Sequence, residues 1–187
     1  ISCGISCSIA ESVVVCEAAM KKLDMRFDEI TFKKFIGQTF HKYRCDPIVY
    51  TSSVTQIVGL YIGDEVYKMS NVQEPVDYYG NMDDVAICRF IKAKVADIHS
   101  ALEGVAQIDT PINGCIEKVV LVNENQQVFE NGTQTYDVWL TRGVIFMVDG
   151  REISFEKQNW PYSEEINIER GYNLIDKFGD VRDFSED

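Results

Sequence analysis

An α+β fold with β dominant is predicted by three observations. A hairpin signature occurs twice, about 86 residues apart: Val58 to Met69 around Gly63-Asp64, and Val144 to Phe155 around Asp149-Gly150. Each is an apolar strand, a two-residue Gly/Asp turn and a returning strand. Beyond residue 108, short alternating runs are separated by turn dipeptides, Asn131-Gly132 among them. The third observation is a single capped, helix-periodic stretch near the N-terminus. Together they predict a helix-bearing N-terminal unit over 1–107 and a C-terminal antiparallel β-meander over 108–187 that closes as a small barrel or sandwich. The matched hairpins leave two related β units as one reading, and shared turn chemistry alone, which makes short hairpins alike, as the other.

The elements follow in order. Residues 1–7 read as a short strand. Ser8-Ile9-Ala10-Glu11 is a capping box, and apolar residues recur at 9, 13, 16, 20 and 23. That spacing predicts an amphipathic helix over 9–23 with Lys21 and Lys22 in its last turn, where the helix dipole favours cations. Thr31 is placed to cap a brief helical segment from Phe32 to Ile36 that Gly37 ends. Residues 39–50 predict a strand bent at Asp46-Pro47, and 54–69 the first hairpin. Residues 71–84 are dense in turn formers and predict a long loop. A strand over 85–91 leads to a helix near 94–103, because Val95, Ile98 and Leu102 share a helical face. Residues 108–114 read as a connector. The meander then takes strands over 116–123, 126–130, 134–141, 143–148, 151–156 and 165–170. A helical turn over 172–178 and a frayed acidic tail over 179–187 complete the chain.

Charge narrows the function classes. Through residue 107 the chain carries 11 Lys/Arg against 14 Asp/Glu; beyond it, 7 against 16. The net charge of -12 argues against direct nucleic-acid binding, which needs cations to displace counterions from phosphates. It leaves room for a basic protein partner. No apolar run approaches the roughly 20 residues that span a bilayer, so a membrane role is rejected. Six cysteines lie in apolar strand and helix patterns, as free thiols of a reducing, cytoplasmic setting do. A secreted origin stays open because the chain begins at Ile1 rather than Met.

No catalytic or cofactor motif is present, and no cofactor is expected. Cys3, Cys7 and Cys16 lack the second paired knuckle of a structural zinc site. A Cys45–His41 pair requires a bend in its strand. Asn131-Gly132-Thr133 matches a glycosylation acceptor but is first a hairpin turn. The acidic pairs Asp83-Asp84 and Glu164-Glu165 each precede a strand, so neighbours within a pair point to opposite faces. The richest segment is 71–84, where Asp77, Tyr78, Tyr79, Asp83 and Asp84 combine aromatic anchors with carboxylates that select a basic partner. The leading expectation is therefore a soluble, non-enzymatic protein-binding or accessory module with an acidic surface. A second is a small metal-dependent hydrolase in which Glu74, Asp77 and Asp83 meet Asp46 or His41. A third is an acidic mimic of nucleic acid.

Overall fold

Period-two burial governs most of the chain, and antiparallel pairing follows from it. A computed structural model describes residues 20–47, 53–78, 81–157, 161–178 and 183–186. The strands are β1 (Lys21–Met25), β2 (Thr39–Cys45), β3 (Ser53–Thr55), β4 (Ile57–Ile62), β5 (Glu65–Tyr78), β6 (Asn81–Ala93), β7 (Ile108–Glu130), β8 (Thr133–Val148), β9 (Arg151–Lys157), β10 (Ile166–Gly171) and β11 (Asp183–Glu186). One short helix, α1, covers Glu29–Lys33. The strand path is β3-β10-β9-β8-β7-β2-β4-β5-β6, with β1 added in parallel to β8 and β11 added to β7.

Both expected hairpins form, β4–β5 around Gly63-Asp64 and β8–β9 around Asp149-Gly150. The third, β7–β8, turns at Asn131-Gly132. Asn131, Gly132, Asp149 and Gly150 all have positive φ, the geometry that matches a two-residue turn to the right-handed strand twist.

β7 and β8 are the spine. β7 pairs with β2 along Ile108–Cys115 and with β8 along Ile116–Glu130. Register shifts at Ile116/Lys118 and Val122/Asn123 insert the bulges that let long strands bend. One buried cluster joins Phe40 and Tyr43 of β2, Leu60 of β4, Leu121 of β7, Phe146 of β8 and Phe155 of β9. It therefore draws on both sides of position 108. α1 adds Phe32 and the turn after it adds Phe35 to the same core, with rings 5.4 Å apart and nearly perpendicular. On the opposite face of β7–β8, Val120, Val122 and Ile145 are covered by Leu174, Ile175 and Phe178 of a terminal 3-10 segment. With both faces covered, alternation disappears in the middle of β7, where Val119 to Asn123 are all buried. Gly143 allows this closure, since a Cβ there would stand 2.8 Å from the Phe178 ring and 3.0 Å from the Phe155 carbonyl.

Several expectations are corrected. Lys21–Met25 is a strand rather than the last turn of a helix, because Leu23 and Met25 alternate inward against the Val138 and Leu140 region of β8. The expected strand over 1–7 and the rest of the expected helix fall on residues 1–19, outside the described residues. α1 begins three residues earlier than expected. Its cap is Asp28, which accepts from the Ile30 amide at 3.3 Å and from the Thr31 hydroxyl at 2.7 Å. The helix expected near 94–103 is only a 3-10 turn at Val95–Asp97. Val95 and Leu102 are exposed while Ile98 alone is buried, so no continuous apolar face exists to dock a longer helix. The connector at 108–114 is the start of β7, paired across to β2. Residues expected to fray at 183–186 pair with β7.

Candidate functional site

Residues 71–78 and 81–84 are not a loop. They belong to the outer half of the β5–β6 hairpin, which is paired without a break from Val66↔Ala93 to Tyr78↔Asn81. β4 stops supporting β5 at Ser70, so beyond it β5 has β6 as its strand neighbour on one side only. That open side explains how Pro75, which has no N–H to donate, sits within a strand. The turn chemistry that suggested a loop is thus accommodated by a two-stranded ribbon.

The ribbon is anchored on one side by apolar contacts. Val76, Val85 and Ile87 pack against Tyr136, Val138 and Leu140 of β8. The Tyr136 hydroxyl donates to Asp77 at 3.0 Å, and Lys21 pairs with the same carboxylate. Arg89 and Lys92 are held across the hairpin by Glu74 and Glu65, at 2.8 and 2.7 Å.

A polar clasp holds the other side. Glu164 accepts from Gln73 at 2.6 Å and from Gln56 at 3.2 Å, while its carbonyl accepts from Asn71 at 2.7 Å. The Ala86 amide donates to the Pro161 carbonyl at 2.8 Å. Tyr162 donates its hydroxyl to Asp83 at 3.2 Å. Beneath lies Lys157, 1 % exposed, whose ammonium donates to Asn71 Oδ1 at 2.9 Å and to the Ser163 carbonyl at 2.7 Å. Burial pushes Lys157 down to about 8 and the neighbouring Cys88 thiol up to about 12.

The expected site residues fall as follows. Asp77 is engaged by Tyr136 and Lys21. Tyr78 ends β5, and Tyr79 lies outside the described residues. Asp83 and Asp84 are exposed on β6, and among the described residues no hydrogen bond or ion pair engages the Asp84 side chain. Beside them Met82 is 67 % exposed. Cross-strand partners share a face, so Met82 and Asp84 lie with Pro75 on one face and Asp83 turns toward the other.

The carboxylates proposed for metal chemistry do not gather. Glu74 holds Arg89, Asp77 holds Lys21, and Asp46 accepts from Gln107 at 3.2 Å. Among the described residues no group of three or more His, Cys, Asp and Glu is placed to hold a metal. The Cys45–His41 pair is corrected as well. Both lie on β2, whose register shift falls at Phe40/Lys42 and leaves Lys42 to Cys45 in regular pairing, so four residues of extended strand separate them by about 13 Å. Burial also pushes the Cys45 thiol up to about 11, which makes it a packing group rather than a nucleophile. Cys45, Cys88 and Cys115 are free thiols.

Comparison with protein-family models, with curated proteins and with solved structures finds no match. No helix among the described residues is long and apolar enough to cross a membrane.

Proposed function

We propose that the chain is a non-catalytic binding module whose β5–β6 hairpin docks a basic segment of another protein. One observation carries this reading. Two cations of the hairpin, Arg89 and Lys92, are neutralised within it, while at its outer end Asp84 stands exposed beside the large apolar Met82 on one face and Asp83 is exposed on the other. An exposed apolar anchor flanked in sequence by carboxylates suits a partner that brings Lys or Arg beside an apolar side chain. The net charge of -12 steers the same kind of partner over longer range. In this reading the N-terminal unit, 1–107, presents the docking hairpin. The C-terminal unit, 108–187, supplies its frame through β8 and the 161–164 clasp.

The test is capture by immobilised protein from the native host's lysate, with wild type and an M82A/D83N/D84N variant side by side at low and high salt. The expected result is a basic protein retained by wild type at low salt and released at high salt, since exposed charge pairs are screened. The variant loses it. Its melting temperature stays within about 2 °C of wild type, because exposed substitutions rarely move stability by more than about 0.5 kcal/mol. Identical capture by the variant would refute the reading.

A further inference from the structure

A second site lies away from the hairpin, where the β8–β9 turn meets the end of β10. An open cavity of about 560 Å³ is lined there by Ile112, Val148 and Ile153 on its apolar side and by Arg151, Arg170 and Tyr172. That volume is within the range of small-molecule sites. In the β9–β10 register Arg170 is opposite Ile153, and Arg151 is two residues from Ile153, so the three share one face.

The charges in this wall are unusual. Its two carboxylates are turned to backbone amides: Glu152 accepts from Leu174 at 2.7 Å and Asp149 from Cys115 at 3.4 Å. Among the described residues no hydrogen bond or ion pair engages the side chain of Arg151 or of Arg170. The other arginines among the described residues, Arg26, Arg44, Arg89 and Arg142, each meet a carboxylate. Lys42 and Arg44 meet at Asp109, at 2.7 and 2.6 Å, and Arg142 and Lys177 meet at Glu156, at 3.6 and 3.3 Å. With 30 Asp and Glu against 18 Lys and Arg, two guanidiniums left unmatched on one cavity wall are not a matter of supply. They repel each other unless an anion sits between them. Tyr172, 67 % exposed, adds an aromatic face at the same mouth.

We infer that this cavity binds a small organic anion, its carboxylate or phosphate head held by Arg151 and Arg170 and its apolar or aromatic body laid on Ile112, Val148 and Ile153 beside Tyr172. The guanidinium fork matches either oxyanion in two-point fashion. The apolar floor is what distinguishes the ligand from a free inorganic ion.

Titration calorimetry at low salt tests this on the full chain, with phenyl phosphate and phenylacetate as probes, benzyl alcohol as the uncharged counterpart and inorganic phosphate as the head alone. At least one of the two organic anions binds saturably, and the tighter of the two names the head group. Benzyl alcohol and inorganic phosphate each bind at least about tenfold more weakly than that anion. R151Q and R170Q each weaken it by about tenfold while their melting temperatures stay near wild type, because both side chains are exposed. Absence of saturable binding by either organic anion overturns the inference. So does undiminished binding in the R151Q/R170Q double variant, or inorganic phosphate binding as tightly as phenyl phosphate.

Discussion

Replacing Phe146 by Ala should destabilise the protein by about 3–5 kcal/mol, the usual cost of deleting a large aromatic from a packed core. Phe146 is fully buried. Its ring centroid lies 5.3 Å from that of Phe40 on β2, 6.1 Å from Phe155 on β9, and 6.3 Å from both Phe32 and Phe35 at α1. The substitution thus removes contacts to three separate elements at once, and the cavity it leaves is walled by rigid rings that collapse poorly. Denaturant unfolding measures the loss. Phe129→Ala, at an exposed position of β7, should fall within about 0.5 kcal/mol of wild type in the same experiment. A loss below about 1 kcal/mol for Phe146→Ala would mean that these elements do not share one core.

The second large effect is a pH dependence centred on Lys157. In the unfolded chain its ammonium titrates near 10.5, and in the folded protein burial brings it down to about 8. Between those values the unfolded state binds more protons, so stability rises with pH across that window. Below about pH 8 both states are charged and the fold carries the full penalty of the buried ammonium, about 3 kcal/mol. Two thiols act in the opposite sense. Cys88 and Cys45 are raised from 9.0 to about 12 and about 11, and their contribution is lost as pH climbs above 9. The difference between wild type and Lys157→Met isolates the lysine. From pH 7 to pH 10, wild type should gain about 2–3 kcal/mol relative to the variant. A difference that stays flat with pH would show that the ammonium is not desolvated.

What could be read from the sequence was what local chemistry dictates. Asn131-Gly132 and Asp149-Gly150 demand positive φ at both turn residues, and the hairpins formed where they stand. The 71–84 segment misled because its Pro, Asn and Asp are turn formers by propensity, yet β5 and β6 give those of 71–78 and 81–84 cross-strand partners in each other. Lys21–Met25 misled in the same way: its apolar spacing suits a helix, and β8, more than a hundred residues later, makes it a strand. Asp83 and Asp84 were legible as exposed acids. The clasp was not, because Glu164 meets Asn71 across 93 residues of sequence and Lys157 looks like any other surface cation until the fold buries it. Arg151 and Arg170 were hidden for a related reason, since only the β9–β10 register brings them to one wall.

The docking role of the hairpin is most directly tested by site-specific photocrosslinking in the host. A photoreactive amino acid replaces Met82 at the outer end of β6 in one strain. In another it replaces Leu102, equally open to solvent but beyond the opposite end of that strand. Position 82 is expected to capture one basic protein, added D83N/D84N substitutions to abolish the crosslink, and position 102 not to capture it. No crosslink from position 82, or the same products from both positions, would contradict it.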